Sequence, residues 1–134
     1  MLRTSLLRGV EGKFGVDSAR LLADVTETIR SANGCSLVLV NGEGEKVGCF
    51  MARLEPHAYC RGNVVRELGC FIMDDHRGHG NFEKLLDAYL AWATTMPDVL
   101  LTTFTIGQLG ATTPYIRSVL NKRGFTKGDE GYYL

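Results

Sequence analysis

The stretch Asp74-Asp75-His76-Arg77-Gly78-His79-Gly80-Asn81-Phe82 lies between two segments of opposite periodicity. Before it, Leu68 to Met73 is an apolar run of strand character. After it, Phe82, Leu85, Leu86, Tyr89, Leu90 and Ala93 recur at helical spacing. A strand that feeds a basic, glycine-bearing turn and then a helix makes an anion site. Amides at a helix N-terminus point outward with the positive end of the dipole, and glycine lets a phosphate approach them closely. A Gly-x-Gly turn taken alone also serves simply to reverse the chain, so the surroundings of the loop decide its meaning.

Upstream, Val64 to Met73 reads as the third of three strands. Leu37-Val38-Leu39-Val40 and Val47 to Leu54 form a hairpin across Asn41-Gly42-Glu43-Gly44-Glu45. Ahead of them, Asp17 is the N-cap of a first helix with Leu21, Leu22, Val25 and Ile29 on one face, stopped by Asn33-Gly34. Downstream, a helix from about Asn81 to Thr95 is followed by a Pro97-Asp98 turn and a β-branched strand, Val99 to Thr105. Ile106 to Ala111 is a loop, and Thr113-Pro114 opens a helix to about Arg123, ended by Gly124. Phe125 to Lys127 and Gly131 to Leu134 are read as a closing hairpin. Residues 1–16 form a short, poorly readable segment in which Leu2 to Leu7 is a candidate strand. The order α, β, β, β, α, β, α, β is that of a single mixed-sheet α/β (α+β) domain over residues 1–134.

At 134 residues with 45% hydrophobic content, the chain supports one real core and not two. Zero formal net charge excludes a general electrostatic attraction to nucleic acid or anionic membranes. No apolar run suits a signal peptide or membrane span, so a cytoplasmic protein, or one packaged in an assembly formed there, is expected. Cys35, Cys49, Cys60 and Cys70 form no CxxC pair, which fits a reducing compartment. His57-x-x-Cys60 and His76-x-x-His79 could in principle supply zinc ligands, but neither has zinc-finger context and no metal is expected.

The run Ile72-Met73-Asp74-Asp75-His76-Arg77-Gly78-His79-Gly80 resembles the strand-to-loop pattern of the GNAT family of N-acetyltransferases, hydrophobic-x-Pro-Glu-x-Arg-Gly-x-Gly, with Asp74 where proline is usual. The resemblance covers about residues 16–134. More narrowly, the order of Leu37 to Val40, Val47-Gly48, Pro56-His57 and Glu67-Leu68 is similar to short acetyltransferase-like proteins of bacteriophages. The family resemblance implies a mostly antiparallel central sheet flanked by helices, N-terminally shortened here. It also implies acetyl-CoA as co-substrate, with its pyrophosphate on the amides of Gly78, His79, Gly80, Asn81 and Phe82 beside Arg77, and its pantetheine arm along Phe71, Ile72 and Met73. The acetyl group would pass to a primary amine by direct attack on the thioester, the acceptor being a small molecule or a peptide.

Glu67, at the start of the cofactor strand, is the candidate general base, or alternatively an ordinary cross-strand partner of an arginine. His76 and His79 read as loop-surface residues, Asp74 and Asp75 as loop-capping acids. Three departures from the family pattern stand out. Phe82 occupies a position usually Gly or Ala, and Thr113 replaces an asparagine at the start of the last helix. Leu120 occupies the position of the tyrosine that protonates the leaving thiolate. Tyr115 lies about 140° round the helix from Leu120, which leaves Tyr132 and Tyr133 as other candidates. The short N-terminus leaves the strand at 37–40 as an open edge, suited to self-association or to docking in a larger assembly. The competing reading is a non-catalytic structural or binding protein of the same fold, such as a virion component.

Overall fold

A computed structural model describes residues 17–105 and 113–127. Helix α1 (Ser18–Arg30) begins where the Asp17 carboxylate accepts from the amides of Ala19 and Arg20, both at 3.1 Å. Its inward face is not the expected stripe. Thr28 is fully buried, whereas Leu22 and Ile29 are 67% and 60% exposed. The reason is polar: the Arg53 guanidinium donates to Thr28 Oγ1 and Asp24 Oδ1, each at 2.7 Å, and turns that side of the helix to the sheet. Gly34 also differs from expectation. It is not a left-handed helix stop, because a Cβ there would lie 2.0 Å from the Thr28 carbonyl oxygen. Glycine is needed for close approach of the chain.

The strands β1 (Gly34–Val40), β2 (Lys46–Pro56), β3 (Asn63–Ile72) and β4 (Val99–Thr103) form one sheet in that order. The first two pairings are antiparallel and the third is parallel. β1 begins three residues before the apolar run from Leu37. Between β3 and β4 runs helix α2 (Asn81–Ala93), the crossover that a parallel pair requires. Helix α3 (Thr113–Lys122) follows.

One irregularity sets the side-chain phase of β3. Met51 pairs with Gly69 but Ala52 pairs with Glu67, so Leu68 is an extra residue, a β-bulge. Val65 and Glu67 before it therefore share a face with Cys70 and Ile72 after it. On that face, Phe50, Ala52, Leu54, Val65 and Ile72 pack with Phe82, Leu85, Leu86, Tyr89 and Ala93 of α2 and Ile116, Val119 and Leu120 of α3. Each large side chain so buried contributes about 1.5–3 kcal/mol relative to exposure. Val47, Met51 and Phe71 are buried on the opposite face, the one crossed by α1.

The parallel ladder is short. It pairs Asn63 with Val99, Val64 with Leu101, Val65 with Thr102 and Arg66 with Thr103, then ends. Among the described residues β3 continues to Ile72 without a partner on that side, so the two strands form a fork that opens from Glu67. The expected extension of β4 to Thr105 is absent for this reason. Phe125 to Lys127 has no regular secondary structure. The rest of the expected closing hairpin, the Leu2 to Leu7 strand and the Ile106 to Ala111 loop lie outside the described residues.

Candidate active site

The loop after β3 is held open by its own hydrogen bonds. A single 3-10 turn, Asp74–His76, leads into Gly78, His79 and Gly80 at φ of 83°, 55° and 77°. Three successive left-handed residues are costly for anything but glycine, and His79 bears that cost. Asn81 closes the turn from both ends, its amide donating to Gly78 O at 3.1 Å and its Nδ2 to His76 O at 2.7 Å. The loop's internal bonds use the amides of His76, Arg77 and Asn81, and none uses those of Gly78, His79, Gly80 or Phe82. A Cβ at Gly78 or Gly80 would meet nothing within 4 Å, so the space beside these two Cα atoms is open. Backbone geometry, and not crowding, requires glycine there. The arrangement fits a pyrophosphate, which needs converging amides and unobstructed approach.

Arg77 braces this loop. Its Nε donates to Ile72 O at 2.9 Å and its Nη1 pairs with Asp74 Oδ1 at 2.9 Å. Phe82 keeps out of the loop's mouth. Its ring is buried and meets Phe104 edge-on at 5.6 Å, leaving only its amide at the helix start. Phe71 and Ile72 are buried and Met73 is partly exposed. The β4-facing backbone edge of these residues lies along the fork, free of a neighbouring strand among the described residues.

Glu67 sits just past the ladder's last rung, at the vertex of the fork. Its Oε2 accepts a long bond of 3.4 Å from the amide of Thr105. Burial pushes its carboxyl up to about 7, offset in part by that amide. It pairs with no arginine among the described residues: Arg66 is taken by Glu55 at 2.8 Å and Arg53 by Asp24. The cross-strand alternative therefore has no partner here. Neighbouring Cys70 is pushed up to about 12, first by burial and then by the Glu67 carboxylate, so its thiol stays protonated and inert.

Leu120 is buried in the core. Tyr115 donates its hydroxyl to Glu83 of α2, and Arg123 pairs with Asp87 at 2.6 Å, so these side chains tie α3 to α2. Tyr132 and Tyr133 lie outside the described residues. His57 Nδ1 accepts from the amides of Tyr59 and Cys60 at 3.1 and 3.0 Å, which commits the His57-x-x-Cys60 segment to a turn. Among the described residues no group of three or more His, Cys, Asp or Glu could hold a metal ion. Sequence reasoning missed Thr105 and Tyr89, both beside Glu67. The one hydroxyl in a helix stripe otherwise made of hydrocarbon side chains was the available signal for the latter.

The fold is shared with solved structures. A transcriptional regulator from Bacillus halodurans superposes with a TM-score of 0.71 at 20% identity, covering 98% of this chain and 88% of that one. The aminoglycoside acetyltransferase AAC(6')-Iy, solved with a bisubstrate analogue of CoA and acetylneamine, gives 0.67 at 19% identity over 90% and 80%. An aminoglycoside 6'-N-acetyltransferase from Acinetobacter haemolyticus gives 0.65 at 14% over 90% and 81%. A search of curated protein sequences gave no significant match. The profile of the acetyltransferase (GNAT) family matches residues 8–108. By that match, and by a four-stranded, mostly antiparallel sheet flanked by helices, the chain belongs to the GNAT family of acetyltransferases, whose co-substrate is acetyl-CoA.

Proposed function

We propose that the protein moves an acetyl group from acetyl-CoA to the nitrogen of a primary amine, with Glu67 as general base. One observation supports this reading: a half-buried carboxyl, with no cationic partner among the described residues, stands at the vertex of a strand fork whose edge, unpaired among those residues, leads to a loop of unused amides. From Glu67 to Ile72 the strand spans about 17 Å, suited to an extended, amide-bearing arm. Phe71, Ile72 and Met73 would pair with that arm through their backbone, and Gly78, His79, Gly80, Asn81 and Phe82 would receive the pyrophosphate. Arg77 would hold the loop in shape.

In the step itself, the acceptor ammonium gives a proton to the Glu67 carboxylate. The freed nitrogen lone pair forms a bond to the thioester carbon, and the carbon–sulfur bond breaks with its electrons on sulfur. The nitrogen's second proton passes to the departing thiolate directly or through water, leaving a neutral amide and CoA thiol. Leu120 supplies no proton to that sulfur. A thiol of ordinary pKa, about 8.5, departs as thiolate near neutrality at modest cost, so a missing acid slows the step without preventing it. Acceptors to screen include aminoglycosides, on which two proteins of similar fold act by name, together with polyamines and peptide amines.

Calorimetric titration with CoA and acetyl-CoA, followed by thiol release with that panel, tests the proposal. Absence of CoA binding would overturn it. The buried Leu120 favours one second reading, a non-catalytic structural or virion protein on the same fold. CoA binding without thiol release by any amine would favour that alternative. The outer residues Val38 and Val40 of β1 are about half exposed, which supports self-association or docking through this edge.

A further inference from the structure

We propose that Tyr89 is a positioning residue for the transfer: its hydroxyl, anchored from α2, fixes the opening of the β3–β4 fork and with it the setting of Glu67. The inference rests on the reading of Glu67 as the base. Tyr89 is fully buried, and its ring packs against Phe50 at 4.7 Å between centroids. Filling that space requires no hydroxyl. The oxygen lies 2.7 Å from Thr103 O on β4 and 3.3 Å from Val65 O on β3, so one donor sits between carbonyls of two strands. Thr103 Oγ1 reaches the same Val65 carbonyl at 3.5 Å.

The position of this clamp is what links it to the base. Val65 and Thr103 belong to the last rungs of the ladder. Two residues beyond Val65 is Glu67, and two beyond Thr103 is Thr105, whose amide reaches the Glu67 carboxylate. The Glu67–Thr105 contact thus lies two residues past the clamp on each chain, just beyond the end of β4 at Thr103. Holding the first pair together limits how far the second can separate.

Glu67 is faced by Cys70 from its own strand, by Tyr89 from α2 and by the Thr105 amide, with Cys35 of β1 beyond Tyr89. None carries a positive charge. Its proton affinity therefore depends on how well the fork excludes water. Releasing the clamp admits water and lowers that affinity.

The test compares Tyr89→Phe with the wild type by infrared titration of the Glu67 carboxyl, using Glu67→Gln for subtraction, so no acceptor need be known. The midpoint should fall by about one pH unit, and CoA should still bind, because the loop at 78–82 is untouched. Thr103→Val should move the midpoint less, in the same direction. Leu86→Ala, one turn earlier on α2 and equally buried, loses stability but removes none of the clamp's hydrogen bonds, and should leave the midpoint in place. A wild-type midpoint in both Tyr89→Phe and Thr103→Val, or an equal shift in Leu86→Ala, would overturn the proposal. If the midpoint moves but the wild type binds no CoA, the clamp stands and the transfer reading falls.

Discussion

Glu67 carries two opposite demands in one side chain. As the base proposed above it must lose its proton, yet burial favours keeping it. Activity should therefore rise with pH through an acid limb centred near 7, and Glu67→Gln should lower kcat by about 10²- to 10⁴-fold. Stability runs the other way. The carboxyl titrates near 4.5 unfolded and near 7 folded, so its contribution is fully present below 4.5 and lost as pH rises through 7. Urea denaturation should find Glu67→Gln more stable than wild type at pH 8, by up to about 3 kcal/mol, with no difference at pH 4. At Gly80, the φ of 77° makes any side chain strained although the space is empty. Gly80→Ala should cost about 1–2 kcal/mol or reshape the loop, and calorimetry should show CoA binding weakened more than overall stability.

Among the elements, α2 and β3 were plain in the sequence because a helical stripe and an apolar run met at a glycine-bearing loop. The face of α1 was not. Leu21, Leu22, Val25 and Ile29 suggested one apolar stripe, and a remote arginine, Arg53, decided otherwise by drawing Thr28 and Asp24 to the sheet. Hydrophobic patterning has no means of seeing a partner on another strand. Gly34 was legible as glycine but for the wrong reason, since only the packed helix reveals what a Cβ would strike. Gly34→Ala should cost about 1–3 kcal/mol by overpacking, read as a lower urea midpoint with an unchanged slope. Leu22→Gln, at an exposed position of α1, should change stability by less than about 0.5 kcal/mol.

For the whole molecule, the glycine loop and Glu67 belong to one assembly, since α2 starts at the loop and carries Tyr89 to the fork. CoA at a hundred times its Kd should stabilise the folded chain by about 2.7 kcal/mol, a rise in Tm on the order of 10 °C. The loop and the Glu67 position were readable from local order. The fork was not, because a parallel ladder that stops after Arg66 leaves no mark in composition or periodicity. The bulge at Leu68 has a consequence for how this gene can vary. Substitutions at that position leave the reading of the strand intact. Loss of the single codon would leave Glu67 and Cys70 two places apart, so plain alternation would keep Val65, Glu67, Cys70 and Ile72 on one face and only the local kink would go. As far as its faces are concerned, the strand thus tolerates both a changed and a missing letter at residue 68.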